Sequence, residues 1–395
     1  MDKIRLLWMV FLGMLAALAP LATDMYLPAL PVMTAAFGVG ASTVQLSLTM
    51  TMIGMAVGPL FAGPISDHWG RKRPLCIGMF FFSLATVGCV MSGDIVPFLT
   101  FRFLQGFTGA FGLVTARAVA RDLYEGAELT RFFSLLMLVN GLAPILAPVI
   151  GGEILLFASW RGVFILLAVI GVLLTIASVF APETLSETGR IDDLTESFQK
   201  FGHLMKDAYF RGQCLVQFFF FAAFFAYIAG SPFLFQNIYG ISPQAYGFIF
   251  GGIGAAVSLA GVLPIRLAGR VPDHKVLAWT LRQSIVGSLL FLIACCTKAP
   301  LPLLILSLLM VIPLVSVLGA VSFSLAMKAQ GKQAGSASAL LGFFSMVAGG
   351  LAAPLVGIAG EENALPMALL MLTGCLAAYA SYARCIAPAH RAGGR

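Results

Sequence analysis

Two charges stand inside apolar runs, where a membrane-like sequence must have a reason to keep them. Asp24 sits in LATDMYLPALP and Arg102 in FRFLQG, in a chain that is 59% hydrophobic and 10% charged. An ionisable side chain in hydrocarbon costs roughly 2.5–3.5 kcal/mol on insertion scales. A carboxylate facing a central cavity can take up and release a proton as the protein changes conformation. Arginine stays charged throughout. An arginine that partners the acid in one conformation only would couple proton release to that conformation. Gln105, three residues after Arg102, falls on roughly the same helix face and extends the polar contact. Two plainer readings stay open. Asp24 can be an acid near the outer interface that caps a segment kinked at Pro28. Arg102 can be a structural donor tying its helix to a neighbour's carbonyls.

The densest charge in the first quarter of the chain is GPISDHWGRKR, from Gly63 to Arg73. A short basic loop fixes which side of a membrane it faces. An acid four residues before an arginine, among glycine and proline, is more than an address requires. Asp67 and Arg71 form that pair, with Gly63, Gly70 and Arg73 around them. Asp122, at the end of Arg102's apolar run, reads by default as part of a solvated helix end, but it is well placed to meet this loop. Further on, LPIRLAGRVPDHK repeats the pattern at Pro264-Ile265 and Gly269-Arg270, one residue shorter and without the acid.

Two more stretches carry candidates. NGLAPILAPVIGGE holds Pro144 and Pro148 one turn apart, then Gly151 and Gly152. That suits a bent gate helix, a closely packed one, or both. QCLVQFFFFAAFFAYIAGSPF is aromatic on all sides, so most of its rings must face lipid or packing; a few could line an apolar, drug-sized pocket, with Gln213, Gln217 and Tyr227 offering polar contacts. With Tyr26, Gln105 and Asn140 they are the candidates for a substrate cavity.

The elements that must position these residues are membrane spans. A mean hydropathy of +0.96 and recurrent apolar runs exclude a soluble domain. Twelve runs are long enough to cross, at approximately 6–28, 42–64, 74–92, 97–120, 131–157, 161–181, 212–236, 243–267, 276–297, 301–327, 334–359 and 363–387. With a cytoplasmic N-terminus, nineteen of the 24 Lys and Arg fall in cytoplasmic segments, and only Arg161 and Lys298 fall outside. Arg102, Arg117 and Arg282 lie within spans. This asymmetry predicts an even number of spans with both termini inside. The polar stretch from Pro182 to Arg211, with a short amphipathic helix expected over 194–206, divides the chain. The expected parts are an N-terminal six-helix bundle over 1–185, a cytoplasmic linker over 186–210 and a C-terminal six-helix bundle over 211–395. The fold class is all-α integral membrane, with twelve transmembrane helices in two pseudo-symmetric halves. The N-terminus has the charge order of a signal peptide, but its run is long and many spans follow, so it is read as the first span.

Other classes have little to stand on. No GxxxxGK[ST] phosphate loop is present. There is no HExxH, and all four histidines fall in predicted loops or the tail, so no metal and no enzyme chemistry is expected. No TVGYG-type filter suggests a channel. The seven cysteines form no CxxC and read as small buried hydrophobes. The pI of about 9.1 reflects short basic loops facing anionic lipid, not nucleic acid.

Taken together, these motifs resemble the major facilitator transporters. GPISDHWGRKR is similar to their signature between spans two and three. Arg102 with Gln105-Gly106 resembles the RxxQG signature of span four in proton-coupled members. Pro148 with Gly151-Gly152 resembles the span-five signature of drug/proton antiporters, with Ala147 where glycine usually precedes the proline. DMYLPALP, RDLYEG and AGSPF are most similar to the Bcr/CflA group of multidrug efflux transporters. The resemblance implies the major facilitator fold and a span-one acid at Asp24 used for proton or substrate binding. It implies a proton-coupling arginine at Arg102 and a charge network of Asp67, Arg71 and Asp122 that latches the cytoplasmic side. It further implies a bacterial inner-membrane protein, monomeric, driven by the proton gradient without a cofactor. Its partners would be lipid, protons and small-molecule substrates.

The leading expectation is therefore a proton-coupled exporter of small, largely apolar drugs or metabolites. An importer of a nutrient or metabolite on the same fold is the alternative, opposed by the span-five pattern. A non-transporting sensor or scaffold is the third, and it leaves the embedded charges unexplained.

Overall fold

The computed structural model describes residues 3–185, 204–328 and 334–391. Apolar runs become helices because hydrocarbon offers the backbone no partner, and a helix satisfies its N–H and C=O groups internally. The first half runs α1 (Lys3–Asp24), α2 (Leu30–Phe37), α3 (Ala41–Trp69), α4 (Lys72–Met91), α5 (Ile95–Leu123), α6 (Gly126–Ile154) and α7 (Arg161–Phe180). The second runs α8 (Ala208–Phe233), α9 (Pro243–Ala260), α10 (Val262–Leu267), α11 (Asp273–Cys296), α12 (Leu301–Leu309), α13 (Leu314–Lys328), α14 (Ala334–Val356), α15 (Leu365–Ser381) and α16 (Ala387–Arg391).

Among the described residues, 11 helical stretches are long and apolar enough to cross a membrane. The twelfth expected span is α5, 29 residues long, whose hydropathy is lowered by Arg102, Arg117, Arg121 and Asp122. Exposed Ile77, Phe80, Phe81 and Leu84 follow one another at helical spacing along α4, a stripe that only lipid can cover.

Two boundaries differ from the sequence expectation. The first span does not run to residue 28 as one helix. It stops at Asp24, passes through a 3₁₀ turn at Leu27–Ala29 and restarts as α2, because Pro28 and Pro31 lack the N–H groups a continuing helix needs. The expected loop from Gly63 to Arg73 is mostly helix. α3 continues through Pro59 and Pro64 to Trp69, and α4 begins at Lys72, leaving only Gly70 and Arg71 as the connection. The expected linker helix over 194–206 lies almost entirely outside the described residues.

The chain forms two compact units. Unit 1 holds Met1–Val39, Leu46–Leu194 and Ser242–Gly251; unit 2 holds Gly40–Gln45, Thr195–Ile241 and Gly252–Arg395. In unit 1, α4 packs on α5 and α7, and α1 packs on α5 and α6. Its core includes Leu12, Leu15, Met79, Phe82, Ala116 and Phe132. In unit 2, α8 packs on α13, α14 and α15, and α11 on α12, α13 and α15.

Candidate functional site

Arg102 is completely buried in α5. Its Nη2 donates to the Ala22 carbonyl at 3.0 Å, and its Nη1 donates to Gln105 Oε1. The amide of Gln105 donates onward to Thr86 Oγ1 at 2.8 Å, and Thr86 donates to the Phe82 carbonyl at 2.7 Å. Donors and acceptors therefore run in one direction, from the guanidinium to the backbone of α4. The guanidinium carbon lies 4.3 Å from the centre of the Tyr26 ring and 5.5 Å from that of Phe164, within cation–π range. Phe98, one turn before Arg102, meets Phe164 and Trp160 at centroid distances of 5.4 and 5.6 Å. These rings exclude water from one side of the arginine. Tyr26 closes the set through a 2.9 Å bond between its hydroxyl and Ser47 Oγ. Of its three nitrogens, Nε is buried without a hydrogen-bond partner.

Asp24 is the last residue of α1 and is 7% exposed. Arg102 grips the carbonyl two residues before it. No cation lies within ion-pair distance of Asp24 among the described residues, so the arginine holds the helix that carries the acid without holding the acid. Helix α6, which carries the candidate gate residues, reaches the same place. A side chain at Gly151 of α6 would overlap the Met25 carbonyl, so α6 crosses the chain directly after Asp24 at a contact only glycine permits. Gly152 accepts a 2.9 Å bond from Gln244 Nε2. The carbonyl of Pro148 would lie 2.7 Å from a side chain at Gly247. Pro144 and Pro148 stay within the helix.

The second cluster lies at the junction of α3 and α4. Arg71 Nε donates to Asp122 Oδ2 at 2.9 Å, and Nη1 donates to Asp67 Oδ1 and, at 3.1 Å, to Ser66 Oγ. Asp67 lies in the last turn of α3, and the turn at Gly70 brings Arg71 back onto it. Burial works against the charged form of Arg71, but the carboxylates of Asp122 and Asp67 outweigh it and hold the guanidinium above its ordinary value. Gly70 supplies the turn at φ +88°. Gly63 faces open space, and Arg73 is exposed.

Glu183, just beyond α7, escaped the sequence reading. Its carboxylate accepts the backbone N–H of Arg71 at 2.8 Å and of Lys72 at 3.1 Å, and also those of Thr184 and Leu185, both at 3.0 Å. Burial alone would push its pKa up, but the N–H groups of Leu185, Arg71, Lys72 and Thr184 hold it below the usual carboxylate range. Thr184 Oγ1 bonds Asp122 Oδ2 at 3.1 Å, so the chain leaving α7 is fastened to both sides of the arginine. The available signal was an acid opening the polar segment on the same side as the basic loop.

The remaining candidates divide between the units. Tyr26 and Gln105 belong to the Arg102 network. Gln213 and Gln217 are buried in unit 2, where their oxygens accept Ser322 Oγ at 2.7 Å and Ser345 Oγ at 3.0 Å; Gln213 Nε2 has no partner. Tyr227 is buried in the same helix. The side chain of Asn140 lies outside the described residues. A cavity of about 660 Å³ in unit 2, lined in part by Asn237, Lys298 and Glu362, contains none of the sequence-derived candidates.

The sequence profile of the Major Facilitator Superfamily matches residues 12–354. The chain belongs to the Major Facilitator Superfamily. It is 40% identical over 374 residues to an uncharacterized MFS-type transporter, YdgK, of Bacillus subtilis (strain 168), across 94% of this chain and 93% of that one. It is 30% identical over 374 residues to a bicyclomycin resistance protein homolog of Haemophilus influenzae, across 94% of each. The nucleoside transporter NupG shares the fold, with a TM-score of 0.77 over 95% of this chain and 99% of that one at 14% identity. This member of the superfamily is thus a multi-pass membrane transporter. Its bicyclomycin-resistance relative agrees with the resemblance to the Bcr/CflA group.

Proposed function

We propose that this transporter is a proton-coupled antiporter that exports small, largely apolar drugs or metabolites from the bacterial cytoplasm. In this reading it sits in the inner membrane as a monomer with both termini cytoplasmic, and the proton gradient drives it. The observation that carries the proposal is the unpartnered Nε of Arg102, on a guanidinium that grips the carbonyl two residues from Asp24, which is buried without an ion pair among the described residues.

A buried donor without an acceptor costs on the order of 1–3 kcal/mol. In this reading ionised Asp24, two residues from the gripped carbonyl, is the acceptor that a rearrangement of the chain brings to it, and protonated Asp24 is a much weaker one. Proton binding from outside therefore weakens the attraction between α1 and Arg102, and proton loss to the cytoplasm restores it. The turn that follows Asp24 and the glycine crossing at Gly151 let that small change reach α6. Substrate leaves as the proton enters, and a potential of 100 mV supplies about 2.3 kcal/mol per charge moved. The resistance protein among the relatives supports export over import.

Drug-driven pH change in everted vesicles tests the proposal. Asp24→Asn should abolish it while the protein still reaches the membrane. Wild-type proton movement by that variant would overturn the assignment.

A further inference from the structure

A second feature of unit 1 lies on its lipid-facing surface, at the end away from Arg71. Val87 and Val90 of α4 and Ile165, Ala168, Val169 and Leu173 of α7 line a groove of about 310 Å³, with no polar side chain in its wall. Val87, Ile165, Val169 and Leu173 are exposed, so lipid covers them in a membrane. From Ile165 to Leu173 the groove extends about 12 Å along the helix at 1.5 Å per residue. That is a slot for one extended chain, directed from the end of the helix toward the middle of the bilayer.

Arg161 stands at its mouth, one turn before Ile165. Its Nε donates to the Val90 carbonyl at 3.0 Å and its Nη2 to the Ser92 carbonyl at 3.0 Å. Val90 is itself part of the groove wall, so the guanidinium is fixed beside the opening. Both bonds go to neutral carbonyls. No carboxylate pairs with Arg161 among the described residues, and Asp94, an exposed acid near Ser92, does not reach it. The two bonds leave three of the five guanidinium donors for another partner. The positive end of the α7 dipole adds to the same field.

We propose that the groove holds one anionic phospholipid, with an acyl chain along α7 and its phosphate on Arg161. The apolar wall takes the chain, and the fixed guanidinium meets phosphate through charge-assisted hydrogen bonds. An apolar drug would fill the slot but leave the cation unmatched. A zwitterionic lipid brings its own cation next to Arg161 and gains less.

Native mass spectrometry of the full-length protein in detergent tests this, with phosphatidylglycerol and phosphatidylcholine of identical chains at equal concentration. The wild type should retain one phosphatidylglycerol in preference to phosphatidylcholine by about fivefold, the worth of one basic residue at an anionic surface. Arg161→Gln should erase the preference and Arg161→Lys should recover much of it. Val169→Trp, at an exposed position, should fill the slot and reduce retention of both lipids. Equal retention of the two lipids by the wild type overturns the proposal, as does an unchanged preference in Arg161→Gln or unchanged retention in Val169→Trp. If Arg161→Gln does not stay monodisperse on gel filtration, the wild-type preference and Val169→Trp decide.

Discussion

The junction between α3 and α4 and its counterpart between α9 and α11 share a backbone turn and differ in what the turn carries. Gly70 at φ +88° precedes Arg71, and Gly269 at φ +74° precedes Arg270. Four residues before Arg71 stands Asp67; four residues before Arg270 stands Arg266. Arg71 is buried among Asp67, Asp122 and the backbone clamp of Glu183. Arg270 is exposed and makes no ion pair among the described residues. Asp273, at the start of α11, accepts from Ser324 at 3.2 Å instead. α3 runs unbroken to its turn, while the helix leading to Gly269 is interrupted at Gly261. A repeated turn can thus persist without the charge network. The turn needs a glycine, whereas the network needs carboxylates arriving from three other places in the sequence.

The largest expected difference between the two junctions is at the arginines. Arg71→Ala should cost about 3 kcal/mol, as when one partner of a largely buried ion pair is removed. Arg270→Ala should stay within about 0.5 kcal/mol, as for an ordinary surface change. Thermal unfolding in detergent measures both, and equal losses would dissolve the contrast. The glycines come next. Either one changed to alanine should cost about 1–2 kcal/mol for a left-handed backbone. Gly70→Ala should cost more than Gly269→Ala, because its side chain would displace the Glu183 carboxylate while Gly269 faces open space. Equal costs would mean that Glu183 yields freely.

Glu183→Gln should cost about 1 kcal/mol through weaker acceptance from Arg71 and Lys72. Asp273→Asn, the control in the second half, should cost less. The smallest effect is with pH. The folded pKa of Glu183 is depressed, so its stabilisation is complete above the unfolded value of about 4.3 and is lost as pH falls through the lower folded one. A carboxyl NMR titration should place its midpoint below that of a free glutamate. A midpoint at or above it would remove Glu183 from the clamp.

Much of the frame was legible in the residues. Apolar runs of spanning length located the helices, because hydrocarbon leaves the backbone few alternatives. Asp67, Arg71 and Asp122 could be grouped because charge is scarce and like-sided in such a chain. The break after Asp24 was half visible in Pro28 and Pro31. Other features depended on three-dimensional approach. Nothing in FRFLQG says that Arg102 reaches the carbonyl of Ala22. Gln213 and Gln217 looked available to a substrate because a sequence does not show Ser322 and Ser345 opposite them. Glu183 was hidden by distance, since its partners are main-chain N–H groups that any residue would present.

That distance also sets an order of events. The N–H of Arg71 must wait for an acceptor made 112 residues later, roughly 6–22 s of synthesis at 5–20 residues per second. Until Glu183 emerges, the turn at Gly70 lacks its clamp. The first six spans therefore carry their own completion signal, and a half-made chain paused at this point already holds every residue of the clamp.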